Sequence, residues 1–295
     1  MERIALGNRE FEGRNNVYLL THGDAVALID TAISTPAIRQ QLSEELDRLG
    51  YSFADLDAIV VTHWHYDHAG LTGEIQAASD ATVYAHTDDA DIISHDDGAM
   101  SALEGTQQDL MAEWGMPADK QADLEAFFEA SRPGAGEPAE VTPLEDGDVI
   151  EVGGAHLEVV HVPGHTAGLS AFAFADGTEA FVGDAVLPVY TPNIGGADVR
   201  VEAPLATYAR SLERLIDRGF ERVWPGHRDP IDDPEGRART ILDHHRDRTR
   251  RVIDVLREHG PADAWTVSDH LFGELEAIHI MHGPGEAWAH LDHLE

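Results

Sequence analysis

The sequence predicts an α/β fold, and three observations carry that expectation. Short apolar runs of strand character recur along the chain, several of them running into a histidine or an aspartate. Between them lie segments with apolar residues at three-to-four spacing, bounded by helix start and stop signals. A phrase of strand, turn, strand and aspartate is also written twice, which suggests two similar halves, with two independent β-hairpins as the competing reading.

Val17-Tyr18-Leu19-Leu20 is a strand, Thr21-His22-Gly23-Asp24 a turn, Ala25 to Ile29 a strand, and Asp30 closes the first phrase. Thr35 to Gly50 is helical, with Pro36 early, Ile38, Leu42, Leu46 and Leu49 on one face and Gly50 as the stop. Ala58-Ile59-Val60-Val61 is a buried strand that runs into His63, and Thr82 to Ala85 a strand that runs into His86. Residues 88–132 are acidic and helix-permissive, with scattered Met, Leu, Trp and Phe, and read as a helical insertion ended by Pro133-Gly134-Ala135-Gly136-Glu137-Pro138. Strands return over Val149 to Val162. The second phrase is Leu169 to Phe174, the turn Ala175-Asp176-Gly177-Thr178, then Ala180-Phe181-Val182 and Gly183-Asp184. Beyond His227, Asp232-Asp233-Pro234-Glu235 caps a long helix stopped by Gly260-Pro261, and Ser268 to Phe272 and Glu286 to Leu294 suggest two short ones. The expected division is a catalytic domain over 1–231 and a helical module over 232–295.

The 295 residues are 42% apolar, enough for a core without crosslinks, and contain no cysteine. A thiolate metal site and a cysteine nucleophile are therefore excluded. Fifty-five acidic residues against 20 basic ones give −35, and Lys120 is the only lysine. This balance resembles proteins of a salt-accumulating cytosol, where ionic strength screens self-repulsion. It disfavours a nucleic-acid partner, which needs a basic surface. No cationic stretch precedes an apolar run at the N-terminus, and no window approaches a membrane span, so the expectation is a cytoplasmic protein without a membrane partner.

His63-Trp64-His65-Tyr66-Asp67-His68 follows a buried strand directly. Such an arrangement arises by chance about 0.007 times in a chain of this composition. If the segment leaves the strand as a loop, His63 and His65 share a side while Asp67 and His68 lie just beyond, which suits two adjacent metal positions. Imidazole and carboxylate suit zinc, iron(II) or manganese(II). The motif resembles the His-x-His-x-Asp-His hallmark of the metallo-β-lactamase-fold hydrolases, and three further landmarks stand in that superfamily's order. They are His165 in His161-Val-Pro-Gly-His165, as in the glyoxalase-II-like branch, Asp184 in Val182-Gly-Asp184-Ala, and His227 in Val223-Trp-Pro-Gly-His227. The match covers about residues 15 to 230.

The resemblance implies an αββα four-layer sandwich holding two divalent ions, zinc foremost with iron or manganese as alternatives. Carried over, His63, His65 and His165 hold the first ion, Asp67, His68 and His227 the second, and Asp184 both. Two such ions about 3.5–4 Å apart bring the pKa of water towards neutrality and supply a hydroxide nucleophile without serine or cysteine. The implied activity is attack on the acyl carbonyl of a small-molecule thioester, ester or lactone. Asp67 is a candidate for handling the hydroxide proton. Tyr190 is a candidate oxyanion donor, with loop packing as the competing reading. His161 is expected to sit in the core or to support a ligand rather than to ligate, and Asp30 and Thr62 are candidates for orienting a ligand imidazole, with packing as the equal alternative. The insertion is an apolar lid or a homodimer surface. The tail resembles the small winged-helix-like end of the lactamase-like branch, and its histidines read as packing and surface residues. That branch raises an RNA phosphodiester alternative, and sulfur dioxygenases with a single iron share the same landmarks.

Overall fold

The computed structural model describes residues 1–7 and 14–295. Its apolar strand segments sort onto two sheets. In the first, β1 (Glu2–Leu6), β2 (Asn15–His22) and β3 (Ala25–Ile29) pair antiparallel. The sheet continues in parallel through β4 (Ala58–Val60), β5 (Thr82–His86) and β6 (Val141–Leu144). The second runs in the order β11-β10-β9-β8-β7. Its members are β7 (Val149–Val152), β8 (Ala155–His161), β9 (Ser170–Phe174), β10 (Glu179–Gly183) and β11 (Arg222–Pro225). All its pairs are antiparallel except β10 with β11.

Strand periodicity of two makes these sheets two-faced. Tyr18, Leu20, Ile29 and Val60 point inward and meet Leu157, Val159, Phe172 and Phe181 of the other sheet. Leu19, Leu28 and Ile59 point outward onto Ile38, Leu42 and Leu46 of α1 (Pro36–Leu49). Thr35 caps α1, its Oγ1 accepting from Ile38 N, and the expected stop Gly50 ends the helix at φ 89°. Leu42 and Leu46 are fully buried, which contributes about 1.5–3 kcal/mol each. On the far side Val160, Ala171, Val182 and Val223 pack under α7 (Pro204–Arg218) and α8 (Pro234–His259). The layers are therefore helix, sheet, sheet, helix.

The insertion forms α4 (Thr87–Ile93), α5 (Asp97–Glu113) and α6 (Ala118–Ser131). Its apolar residues join the tail: Leu103, Met111, Trp114 and Leu124 share a core with Val252, Val267, Ile280, Met281 and Ala287. The tail itself is α8, α9 (Ala264–Phe272) and α10 (His279–Asp292). Among the described residues, 232–295 contain no strand to form a wing. Helix α10 starts seven residues before the expected Glu286 and carries Pro284 inside it. Gly283-Pro284-Gly285 reads as a break in the sequence, but Gly285 here lies against the backbone of Gly195 and Gly196, where a Cβ has no room. Tertiary packing overrides the local signal.

Candidate metal centre

Four parallel-paired strands end at one place. Asp30 follows β3, His63 lies just beyond β4, Asp184 follows β10 and His227 lies just beyond β11. Asp30 adopts φ 58°, a left-handed turn that an aspartate tolerates. Asp67 and His68 sit on the single helical turn α2 (Tyr66–Ala69). The third landmark, His165, is on the loop between β8 and β9.

The structure brings all seven predicted donors together. His63 Nε2 and His165 Nε2 each lie 3.1 Å from His65 Nδ1. His227 Nε2 is 3.4 Å from Asp67 Oδ2 and 3.3 Å from Asp184 Oδ2. His68 Nε2 is 3.6 Å from Asp184 Oδ1 and 3.9 Å from Asp67 Oδ2. Asp184 Oδ2 also lies 3.8 Å from His165 Nε2, so this carboxylate stands between the two groups. Ligands about 2.0–2.1 Å from a tetrahedral ion are separated by about 3.3 Å, which matches these spacings.

The opposite nitrogens settle the protonation of the ligand set. His65 Nε2 donates to Ala197 O at 3.0 Å and His165 Nδ1 to Asn193 O at 2.9 Å. His63 Nδ1 donates to Thr62 Oγ1, which gives its own hydrogen to Asp30 Oδ2. His68 Nδ1 donates to Asp30 Oδ2 at 2.9 Å and His227 Nδ1 to Arg14 O at 3.3 Å. In neutral imidazoles so bonded, the facing nitrogens carry lone pairs. Three lone pairs at 3.1 Å repel unless a cation lies among them. His68 Nε2 and Asp184 Oδ1 are buried and have no hydrogen-bond partner, as expected of atoms that wait for an ion. The donor set fits two divalent cations.

The electrostatics agree. Burial, with the neighbouring imidazoles, pushes the His63 pKa well below its ordinary value, and burial takes His65 down to about 4. Burial also pushes His68 down, but the carboxylates of Asp184, Asp67 and Asp30 outweigh it and hold the pKa up at about 10. Without an ion His68 keeps a proton. A cation at that nitrogen displaces it. Gly226, just before His227, leaves the gap required: a Cβ there would meet Asp184 Oδ1 and His68 Cε1.

A second network ties the ligand loops together. Asp89 Oδ2 accepts from Trp64 N and Thr166 Oγ1, while Asp198 Oδ2 accepts from Trp64 Nε1 and Ala167 N. Arg200 bridges both carboxylates at 2.6 Å. Trp64 is thereby held against the insertion and tail core, and Tyr66 packs on the core under the first sheet. Tyr190 is not drawn into the donor cluster by any of these bonds. It is 49% exposed, with the Arg228 guanidinium 4.4 Å above its ring.

Among the described residues two other groups of potential ligands occur, one engaged in hydrogen bonds and stacking, the other held by an ion pair. The rings of His86 and His161 stack at 3.8 Å, with His161 Nε2 donating to Ala167 O and His86 Nδ1 accepting from Asp88 N. His161 thus packs as expected. In the tail, Glu286 Oε1, both ring nitrogens of His245 and His290 Nε2 are also buried without a hydrogen-bond partner, but here Arg248 Nη1 stands 3.0 Å from Glu286 Oε1 and supplies the counter-charge that a cation supplies elsewhere. His282 packs edge-on against His279 on α10. Burial takes its pKa down to about 3, with His279, His65 and His165 adding to the effect, and its carbonyl accepts from Asn193 Nδ2 at 2.9 Å. The sequence reading missed Asn193, Ala197, Asp198, Arg200 and Glu286, none of which stands in a recognisable motif.

A four-layer αββα sandwich with a histidine and aspartate cluster at its strand ends defines a class of metallo-hydrolases, and the comparisons agree. The family model of the metallo-beta-lactamase superfamily matches residues 11–227, and the chain belongs to that superfamily. The chain resembles a solved metallo-beta-lactamase family protein from Thermus thermophilus with a TM-score of 0.86 and 31% identity, over 99% of this chain and 92% of that one. It is 29% identical to the probable metallo-hydrolase YqjP of Bacillus subtilis (strain 168), over 87% of this chain and 80% of the relative. It is also 25% identical to an atrochrysone carboxyl ACP thioesterase of Aspergillus chevalieri, over 94% of this chain and 72% of the relative.

Proposed function

We propose that the protein is a dinuclear metal-dependent acyl hydrolase, with a thioester as the foremost substrate class and an ester or lactone as its chemical kin. The observation that carries the reading is the convergence of seven donors into two groups with Asp184 between them. In this reading His63, His65 and His165 hold one ion, Asp67, His68 and His227 the other, and Asp184 both. Bound there, divalent cations acidify water and polarise a carbonyl oxygen.

The chain's own residues do the rest. Asn15 Nδ2 donates to Asp67 Oδ2 at 3.1 Å, which orients the carboxylate and assigns its other oxygen, Oδ1, to receive the proton of the attacking water. Asp30 and Thr62 aim His68 and His63 and keep both in the tautomer that leaves Nε2 bare. Trp64, fixed through Asp89 and Asp198, forms the wall on the insertion side. Tyr190 and Arg228, paired at the surface next to His227, form the rim at which a polar tail of the substrate or a developing oxyanion is recognised. The thioesterase name of the fungal relative supports the substrate class.

The test begins with metal analysis of protein purified in high salt. It continues with S-lactoylglutathione, an acyl-CoA, a homoserine lactone, bis-p-nitrophenyl phosphate and RNA as substrates. Two metal equivalents and chelator-sensitive turnover of an acyl substrate support the reading. Activity confined to the last two substrates overturns it. Asp67→Asn with full activity at full metal occupancy removes Asp67 from the proton step.

A further inference from the structure

Half of the first metal position rests on a loop that the tail holds. His165 and His65 direct their outer nitrogens at the carbonyls of Asn193 and Ala197. Both carbonyls belong to one short segment. Asn193 anchors it, with every polar atom of its side chain engaged: Nδ2 donates to His282 O at 2.9 Å and to Glu286 Oε2 at 3.2 Å, and Oδ1 accepts from Gly196 N at 3.2 Å. Ile194 N donates to the same Glu286 oxygen at 3.3 Å. Gly195 and Gly196 lie flush on α10 at Gly285.

Glu286 needs a reason to be there. It is 4% exposed, and burying a carboxylate is strongly unfavourable unless it is paired and hydrogen-bonded. Its Oε1 faces Arg248 at 3.0 Å, with His245 and His290 at 3.6 and 3.7 Å. Its Oε2 is turned to the loop. The charge is neutralised on the tail side, and the remaining oxygen is committed to Asn193 and Ile194.

We propose that Glu286 is a positioning residue of the first metal position: through Asn193 and the 193–197 segment it sets the aim and tautomer of His165 and His65. The inference rests on the reading that these histidines bind a metal. The tail is then a working part of the centre, 59 residues beyond the last ligand, and Glu286 acts on an ion it never touches.

The experiment titrates zinc into chelator-treated full-length protein against a chromophoric competitor, resolves the two equivalents, and repeats the measurement with cobalt(II) to read the absorption of each site. The variants are Glu286→Leu, the conservative Glu286→Gln, which retains an oxygen for the loop, and Asn193→Ala, which leaves the tail's ion pair intact should Glu286→Leu fail to fold. We expect Asn193→Ala and Glu286→Leu to weaken one equivalent roughly 10–100-fold and shift its cobalt spectrum, leaving the other equivalent unchanged. Glu286→Gln should recover most of the loss. The double variant should lose no more than the worse single, since both act through one loop. If folded Asn193→Ala, and Glu286→Leu where it folds, bind both equivalents as the wild type does, with an unaltered spectrum, the positioning role is overturned even if melting temperature falls. If the wild type itself binds no metal, the metal-centre reading fails first, and the two failures are thereby distinct.

Discussion

Replacing Asp30 by asparagine tests the logic of the centre without touching a proposed ligand. Asp30 is 2% exposed, and its Oδ1 accepts from Thr62 N at 2.7 Å. Its Oδ2 accepts from Thr62 Oγ1 and His68 Nδ1, both at 2.9 Å. Asparagine keeps the size and tolerates φ 58°. It cannot keep the bonds. With its oxygen on Thr62 N, its amide nitrogen faces His68 Nδ1 donor to donor, so His68 must give up its Nδ1 hydrogen and keep the one on Nε2, the atom that faces Asp184. Two charge-assisted bonds are lost, at about 1.5–3 kcal/mol each before the Thr62 hydroxyl turns to recover part of it. A net cost of about 3 kcal/mol corresponds to a fall of about 5 °C in the melting temperature of metal-free protein of this length. Calorimetry of chelator-treated wild type and variant measures it. Zinc competition should show one equivalent weakened roughly 10–100-fold, and it should be the one that survives in Asn193→Ala. An Asp30→Asn protein that melts within a degree of wild type and binds both equivalents normally would refute the argument that Asp30 fixes the His68 tautomer.

Gly226→Ala should abolish binding of one metal equivalent and lower turnover more than tenfold, because the new methyl enters the space of Asp184 and His68. Gly105→Ala on α5, where a Cβ meets nothing within 4 Å, should leave both unchanged and stabilise the helix by roughly 0.5–1 kcal/mol; calorimetry and zinc titration check the pair. Metal-free protein should be most stable near neutral pH. His68, held up at about 10, contributes stability that is complete below pH 6.5 and is lost as pH rises through 10. His65 and His245, held down at about 4 chiefly by burial, contribute stability that is present above pH 6.5 and is lost as pH falls towards 4. Urea midpoints from pH 4 to 10 should trace that dome, and a flat profile contradicts the assigned tautomers. With a net charge of −35, raising potassium chloride from 0.1 to 2 M should raise the melting temperature by several degrees as screening removes self-repulsion. A melting temperature independent of salt would identify the acidic surface as neutral to stability.

His63, His65, Asp67 and His68 were legible because they stand in one run too rare for chance, and His165, Asp184 and His227 because they stand in short phrases that resemble the superfamily's landmarks in order. Asp30 and Thr62 could be suspected, and their bonds to His68 and His63 are there. The supports of His65, His165 and His227 were not legible. They are backbone carbonyls of Ala197, Asn193 and Arg14, and a carbonyl leaves no mark on residue identity. Glu286 was hidden twice, as one acid among 55 acidic residues and on a helix whose Gly283-Pro284-Gly285 reads as a stop. The apolar residues of the insertion were visible, but their partner was not: lid, dimer face and tail contact all demand the same Met, Trp and Phe, and only the fold shows Trp114 set 5.9 Å from Trp288.

The repeated phrase explains why the centre needs the tail. Each half runs hairpin, aspartate, helix, parallel strand, histidine: β2, β3, Asp30, α1, β4, His63, and then β9, β10, Asp184, α7, β11, His227. Helices α1 and α7 both have proline in the first turn and end at a left-handed glycine. The aspartates at equivalent positions have diverged through their hydrogen bonds. Asp30 has its oxygens committed to Thr62 and His68, so it supports a donor. Asp184 Oδ1 has no hydrogen-bond partner, so it is free to be one. The first half thus carries four donors, His63, His65, Asp67 and His68, and braces two of them with its own Asp30 and Thr62. In the second half the corresponding aspartate faces the donor cluster itself and does not brace His165. That support comes instead from the segment at 193–197, and the segment is bonded to α10. The helical tail outside the 11–227 family match is therefore bound to the segment behind His65 and His165, where the second half has no carboxylate placed as Asp30 is behind His68.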